Sequence, residues 1–337
     1  MSKDSKTDTL QNDEKIIQTL RVDNWKDFRG QGKLKKSLRV SLTAARKRGD
    51  ALEHVMFYGP PGLGKTTLAH IITKEMGASI RITSGPALER AGDLASILTN
   101  LEKGDVLFID EIHRLNKVIE ETLYPAMEDF ALDVILGKGP GARTVRLDLD
   151  DFTLVGATTQ IGKISSPLRD RFGVVHRLVF YEEPELTEIT LNAAKRLNVK
   201  IDKSAAKIIA KRSRKTPRIA LKLLKRVRDY SEVYNHGKVD KSVVEKALAM
   251  HEVDEEGLDA SDRRLLDAII DKHGGGPVGL STLAATIAED PVTIEDMHEP
   301  YLLQAGFIKR TSKGRVATRK AYKHLGKDLP KGQGELL

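Results

Sequence analysis

The 337-residue chain contains no cysteine. This excludes disulfides and thiolate metal sites and is compatible with a reducing compartment. No apolar stretch approaches the roughly 18 residues needed to cross a bilayer. The polar start, Met1 to Thr7, lacks the apolar centre of a signal peptide. A cytoplasmic protein with no membrane association is therefore expected. Neither sign of charge dominates: 56 Lys and Arg against 48 Asp and Glu give +8, which permits a nucleic-acid partner without requiring one. Tryptophan occurs once, as Trp25. A hydrophobic content of 40% over this length is enough for two or three compact cores.

The segment Gly59–Thr67, GPPGLGKTT, follows the apolar run Val55–Tyr58 and leads into Leu68–Ile72. A strand entering a glycine-rich turn and then a helix surrounds one anion with backbone N–H groups and the positive end of a helix dipole. Gly62 and Gly64 let the backbone curl close to a polyphosphate, Lys65 neutralises its β and γ oxygens, and the Thr66 hydroxyl is placed to ligate Mg²⁺. Every fixed position of the P-loop pattern is filled, so the chain is expected to bind a nucleoside triphosphate.

A second run, Val106–Glu111, places four apolar residues before two acids, as expected of a strand buried on both faces of a parallel sheet. Asp110 is suited to the Mg²⁺ shell and Glu111 to orienting and deprotonating the attacking water. His113 is read as a hydrogen-bonded structural residue with no chemistry of its own. Phe152–Thr159 is a further buried strand ending in hydroxyls, which makes Thr158 a candidate to sense the γ-phosphate or position water. In Ser166–Phe172, beside a proline-started helix, one arginine either pairs with Asp170 or is supplied to a neighbouring subunit's γ-phosphate.

Elsewhere the pattern gives organisation. Residues 1–17 are polar and expected to be a disordered tail. Trp25 reads as packing; Leu20 and Arg21 either pack or touch a nucleotide base. Leu34–Ala45 is expected as an amphipathic helix, Ser79–Thr83 as a strand, and Leu94–Leu101 as a helix. Leu132–Leu136 and Thr144–Leu149, separated by Gly137–Gly141, read as a β-hairpin insertion. Its apolar residues either pack on the domain or form a docking arm for a partner.

After residue 182 short helices are expected up to about Val253, one of them starting at Thr216–Pro217 with Arg218 in its first turn. A cation there opposes the helix dipole and favours an anionic partner. Beyond residue 254 come a helix over Asp262–Ile270, a turn at Gly274–Pro277, helices capped by Ser281 and by Thr293, and two short strands closed by Ser312–Gly314, the pattern of a winged helix. Nine Lys or Arg between residues 307 and 337 suit it to phosphate-backbone contact.

These runs, together with TSGPALERAGDLA, EETLYPAMEDF, SPLRDRFG, TPRIA and GGPVGL, resemble the RuvB family, the Holliday junction branch-migration motors among the AAA+ ATPases. The likeness covers about residues 18–325. It implies an α/β P-loop domain with a parallel sheet and flanking helices over 18–182, carrying the hairpin insertion at 132–149. A helical lid over 183–254, a winged-helix domain over 255–330 and a tail over 331–337 complete the expected organisation. It further implies ATP and Mg²⁺, homohexameric rings, duplex DNA in a four-way junction, a RuvA partner docked on the hairpin, and RuvC in the larger complex.

Carried over by residue, the nucleotide contacts are Leu20, Arg21, Gly62, Gly64, Lys65, Thr66, Thr67, Glu128, Asp129, Phe130, Arg171, Tyr181 and Arg218. Thr66 and Asp110 face the metal. Lys65, Asp110, Glu111, Thr158 and Arg171 carry the chemistry, with Arg171 the first candidate for the finger and Arg169 the second. Arg310 and Arg315 fall on the DNA-touching positions of the wing. Val22, Gln160 and the acidic pair Asp150–Asp151 depart from the family pattern. Two rivals remain: a nucleotide-switched DNA-binding regulator or loader, and a protein-remodelling ATPase whose C-terminal unit ignores DNA.

Overall fold

The computed structural model describes residues 19–136 and 143–329. The two tails and the turn at Gly137–Gly141 expected from the sequence lie outside the described residues. The chain divides into two compact units, one ending at Tyr181 and one beginning at Glu182.

The first unit opens with α1, Gly32–Arg48, whose leucines at 34, 38 and 42 and Ala45 recur at helical spacing and are buried. It extends beyond both ends expected for it, and Gly49 closes it in the left-handed region. Five strands follow in a parallel sheet: β1 Val55–Tyr58, β2 Ile80–Ser84, β3 Val106–Asp110, β6 Thr153–Thr158 and β7 Val174–Arg177, ordered β2-β3-β6-β1-β7. Central β6 is buried along its whole length and edge strand β2 is not. This matches the unbroken apolar runs of the centre and the Arg81 and Thr83 of the edge.

Helices α2 Lys65–Met76, α3 Ala91–Leu98, α4 Lys117–Glu128 and α5 Ser166–Asp170 flank the sheet. Against the sheet packs a core that includes Leu94, Leu107, Ile109, Leu123 and Phe152. Helix α3 starts three residues earlier and stops three residues sooner than expected: the Asp93 carboxylate accepts from the N–H of Arg90 and anchors the start. The hairpin is confirmed as a separate two-stranded sheet of β4 Ala131–Leu136 and β5 Arg143–Asp148, with Val134 opposite Val145 and Leu132 opposite Leu147.

The second unit begins with helices α6 Glu183–Arg196, α7 Lys203–Lys211, α8 Pro217–Tyr234 and α9 Lys241–Met250, with two-residue strands β8 Lys200–Ile201 and β9 Lys238–Val239 pairing in parallel. Helix α8 is 18 residues long rather than short. Asp202 caps α7 and Asp240 caps α9, and a proline stands in the first turn of α6 and of α8.

The remaining part holds α10 Ala260–Asp267, α11 Leu280–Ile287, α12 Pro291–Thr293 running without a break through residues 294–298 into α13 Glu299–Gln304, the strands β10 Ile308–Thr311 and β11 Gly314–Ala317, and α14 Arg319–His324. This is the expected winged-helix pattern, with two corrections. Gly279, not Ser281, precedes α11, and Asp290, not Thr293, caps α12, its carboxylate accepting from the N–H groups of Val292 and Thr293. The side chain that reaches back to the free N–H groups decides the cap, and Asp290 lies three residues ahead of the threonine.

Candidate functional site

In a parallel sheet the carboxyl ends of all strands share one edge, and loops leaving that edge converge. Here β3 delivers Asp110 and Glu111, β6 delivers Thr158, and β1 delivers the P-loop, on three adjacent strands. The register places Tyr58 beside Thr158, and the N–H of Gly59 donates to the Thr158 carbonyl at 3.2 Å. Gly64 takes φ 102°, a left-handed conformation that a side chain would strain, and starts α2.

Lys65 is 8% exposed. Its ammonium donates to the carbonyls of Gly59 at 2.7 Å and Pro60 at 2.9 Å. Burial lowers its pKa to about 8, opposed by the charges of Asp110 and Glu111. Arg21 is also depressed by burial and supported by Asp110, and its guanidinium lies 2.5 Å from His70 on α2. Two cations and two carboxylates thus share one electrostatic neighbourhood. Tyr181 is buried and donates to the Leu63 carbonyl at 3.1 Å. A Cβ on Gly64 would meet Phe28 at 3.3 Å and the Tyr181 hydroxyl at 3.7 Å. Leu20 is buried as well.

Glu111 stands at φ 47° directly after β3, an uncommon conformation for a non-glycine residue and one that collects at functional sites. Gly85 explains how it is held: a Cβ there would come within 2.4 Å of the Glu111 carbonyl. The Glu111 carboxylate is partly exposed and pairs with Arg114 at 3.3 Å. Thr158 is fully buried. Its hydroxyl oxygen accepts from the N–H of Gln160 at 2.9 Å and lies 2.9 Å from Nδ1 of His113. His113, read from the sequence as a hydrogen-bonded structural residue, is one, and its partner is the candidate side chain of Thr158. Two strands ending side by side were the available signal, because the residue three past β3 then faces the end of β6.

The hard oxygen donors Thr66 and Asp110, with a desolvated lysine whose ammonium donates to two neutral carbonyls, fit a magnesium polyphosphate.

The remaining nucleotide candidates of the first unit are not at this edge. Phe130 packs against His54 and Phe152, with ring centroids 6.1 and 5.8 Å apart, and those residues immediately precede β1 and β6. Phe130 and the adjacent Glu128 and Asp129 thus lie at the amino ends of the strands, a strand length of roughly 13 Å from the P-loop edge. Arg171 belongs with them. Its guanidinium pairs with Glu128 at 3.1 Å, donates to the Pro167 carbonyl at 2.7 Å and stacks over Tyr124 at 4.2 Å. Its Nε is buried with no hydrogen-bond partner among the described residues. Asp129 pairs with Arg146 of the hairpin at 2.7 Å. Arg169 is exposed and 3.8 Å from Asp170. The nucleotide candidates of the first unit therefore separate into two groups at opposite ends of one sheet, and Arg218 lies in the second unit.

In the second unit Arg218 occupies the second position of α8. On the wing, Arg310 and Arg315 face each other across β10 and β11. Arg310 is exposed and pairs with Glu295 at 2.7 Å. The Arg315 side chain is 7% exposed and donates to Glu299, itself 2% exposed, at 2.5 Å. Duplex contact by the Arg315 side chain requires it to leave Glu299.

Family models match the chain along most of its length: the Holliday junction DNA helicase RuvB P-loop domain over residues 20–178, the RuvB AAA lid domain over 181–254 and the RuvB C-terminal winged helix domain over 255–326. The Holliday junction branch migration complex subunit RuvB of Chloroflexus aggregans is 58% identical over 318 residues, 94% of this chain and 91% of that protein. Its counterpart in Chloroflexus aurantiacus is 57% identical over the same span. A solved structure of the Thermotoga maritima RuvB Holliday junction branch migration motor superposes with a TM-score of 0.85 at 51% identity, covering 92% of this chain and 99% of that one.

Proposed function

The chain belongs to the RuvB family, and on that footing we propose that it is an ATP-driven motor subunit that moves the branch point of Holliday junctions during recombination and repair. The observation that carries the proposal is the separation of the nucleotide residues: Lys65, Asp110, Glu111 and Thr158 line one end of the sheet, and Arg171 with Glu128 lies at the other. A chain arranged in this way hydrolyses ATP where two copies meet.

Within the site, Lys65 neutralises the β and γ oxygens, and Arg21 adds a second cation. The Thr66 hydroxyl and Asp110 carboxylate would hold Mg²⁺, which when bound supplies further charge neutralisation at the phosphates. Glu111 accepts a proton from the attacking water and Thr158 fixes that water or the γ-phosphate. Arg171 of the neighbouring copy reaches the developing charge as a finger, with Glu128, Asp129 and Phe130 beside it. Leu20 and Tyr181 close on the base side, and Gly62, Gly64 and Thr67 complete the cradle. Arg218 of the lid, spanning 183–254, responds to the phosphates.

Copies arranged as a hexameric ring then advance duplex DNA held by the winged helix, in which Arg310 meets the phosphate backbone. RuvA docks on the hairpin through Val145 and Leu147, which are exposed hydrophobics on β5, and RuvC joins the larger complex. Such work belongs in the cytoplasm, and among the described residues no helix is long and apolar enough to cross a membrane.

The test is ATP-dependent conversion of a synthetic four-way junction into two duplexes by the purified chain, with and without RuvA. Conversion that requires hydrolysable ATP and accelerates with RuvA is expected. Site-specific DNA binding switched by nucleotide with no junction conversion would identify a regulator or loader instead. Affinity uniform across sequences, with a steep salt slope, accompanies the motor.

A further inference from the structure

The loop 212–216, which leads directly into the first turn of α8 and Arg218, is bound to the winged-helix part by a buried ionic network. Arg214 stands in the left-handed region at φ 52°. Its guanidinium donates to the Gly257 carbonyl at 2.8 Å, pairs with Asp259 at 2.7 Å and with Asp262 at 2.5 Å. Asp262 is 1% exposed, and its other oxygen lies 2.6 Å from Nδ1 of His298. His298 is followed by Glu299, the carboxylate that holds Arg315 on the wing. Backbones also meet here: a Cβ on Gly257 would come within 2.4 Å of the Arg212 carbonyl. Asp259, Asp262 and His298 have the makings of a cation site, and the Arg214 guanidinium already fills that role. Burial pulls the His298 pKa down, but the hydrogen bond and charge of Asp262, with Asp259, outweigh burial and Arg214, so the ring keeps its proton above the usual range.

We propose that Arg214 is a positioning residue that couples the nucleotide-responsive start of α8 to the wing, through Asp262, His298, Glu299 and Arg315 in turn. The physical reason is stiffness. Two ion pairs withdrawn from water, joined by adjacent residues of one continuous helix, cannot slide or stretch without exposing unpaired charge, so displacement at one end moves the other. A solvated loop at the same place would absorb the displacement. The inference rests on the functional reading above, in which Arg218 responds to ATP and the wing holds duplex.

The test compares the wild-type chain with Arg214→Lys, which keeps the charge but not the forked contact, and with the double variant Arg214→Met/Asp262→Asn, which removes both charges of the buried Arg214–Asp262 pair together. Basal ATPase, duplex affinity, thermal unfolding and base pairs migrated per ATP are measured on each. Both variants are expected to hydrolyse ATP and bind duplex within about twofold of wild type while migrating about tenfold fewer base pairs per ATP. Because the chain lacks cysteine, spin labels at Val233→Cys and Val292→Cys, both exposed positions, report directly on the joint. One narrow distance is expected in the wild-type background and a broad distribution in the double variant. Unchanged migration per ATP, or equally narrow distances, would overturn the inference while leaving the motor intact. Losses of ATPase, affinity and melting temperature in step with migration would reduce the network to plain scaffolding and overturn it as well. A wild-type chain that moves no junction would overturn the functional reading itself.

Discussion

His113 stands 2.9 Å from the hydroxyl oxygen of Thr158, across the gap between the ends of β3 and β6. That oxygen already accepts from the Gln160 N–H, so a proton on Nδ1 of His113 leaves the threonine hydrogen free to point toward a phosphate or water. Replacing His113 with Ala is expected to slow hydrolysis by roughly tenfold, about 1.4 kcal/mol of barrier, with nucleotide affinity nearly unchanged. Single-turnover hydrolysis beside equilibrium nucleotide binding checks this, and parallel loss of both would point to a collapsed strand end instead.

Glu111→Gln keeps the size of a side chain held at φ 47° and removes its basicity. ATP binding is expected to persist while turnover falls at least about 100-fold. Near-normal turnover in a steady-state phosphate-release assay would take Glu111 out of the mechanism.

Arg171 pairs with Glu128 at the end of the sheet away from the P-loop, so the action on a nucleotide proposed for it would be between copies. Mixing Arg171→Ala chains with wild type at fixed total concentration should depress ATPase below simple dilution, because each altered copy disables its neighbour's site. A strictly proportional decline would refute action in trans.

Lys65 has its pKa lowered to about 8 by burial. Polyphosphate favours the ammonium form, so nucleotide affinity is expected to fall as pH rises through about 8, approaching tenfold per unit well above it. Calorimetry in buffers of different ionisation heat should show proton uptake on binding near pH 9. For folding the sign is opposite. Between about 8 and the ordinary lysine value of 10.5 the unfolded chain binds more protons at this residue than the folded one, so this group's contribution makes stability rise with pH across that window.

Arg310 and Arg315 should separate cleanly. Arg310→Ala removes an exposed charge and is expected to weaken duplex binding at all sequences, lower the salt slope by about one and leave the melting temperature alone. Arg315→Ala strands the buried Glu299 carboxylate and is expected to destabilise the winged helix by about 3–5 kcal/mol. Equal melting of the two variants, with equal loss of duplex, would return Arg315 to the DNA surface.

What could be read from the sequence was what local pattern determines. The P-loop, the acids after β3 and the wing strands each follow from residues contiguous in the chain, and the family likeness supplied the order of the parts. What stayed hidden depends on partners distant in sequence. Burial of Arg315 depends on Glu299, 16 residues earlier, and the roles of His113 and Arg214 depend on which strand or helix stops beside them. The cap at Asp290 was missed because Thr293 offers similar oxygen chemistry three residues away, and the start at Gly279 because no side-chain oxygen marks it while Ser281 two residues on carries one. The candidate nucleotide residues of the first unit read as one group because sequence order carries no record of which end of a strand a loop leaves.

The opposite placement of the P-loop and Arg171 along one sheet also restricts how copies can associate. In a two-fold pair residue i of one copy meets residue j of the other and j meets i, so such a pair could join the two ends only if both lay within the one shared patch. Head-to-tail contact would join unlike ends with a separate surface on each side, and it leaves a dangling half at each terminus until the series closes on itself. If Arg171 acts as proposed, every copy in such a closed series would be both customer and supplier, and the last site would become competent at the moment of closure.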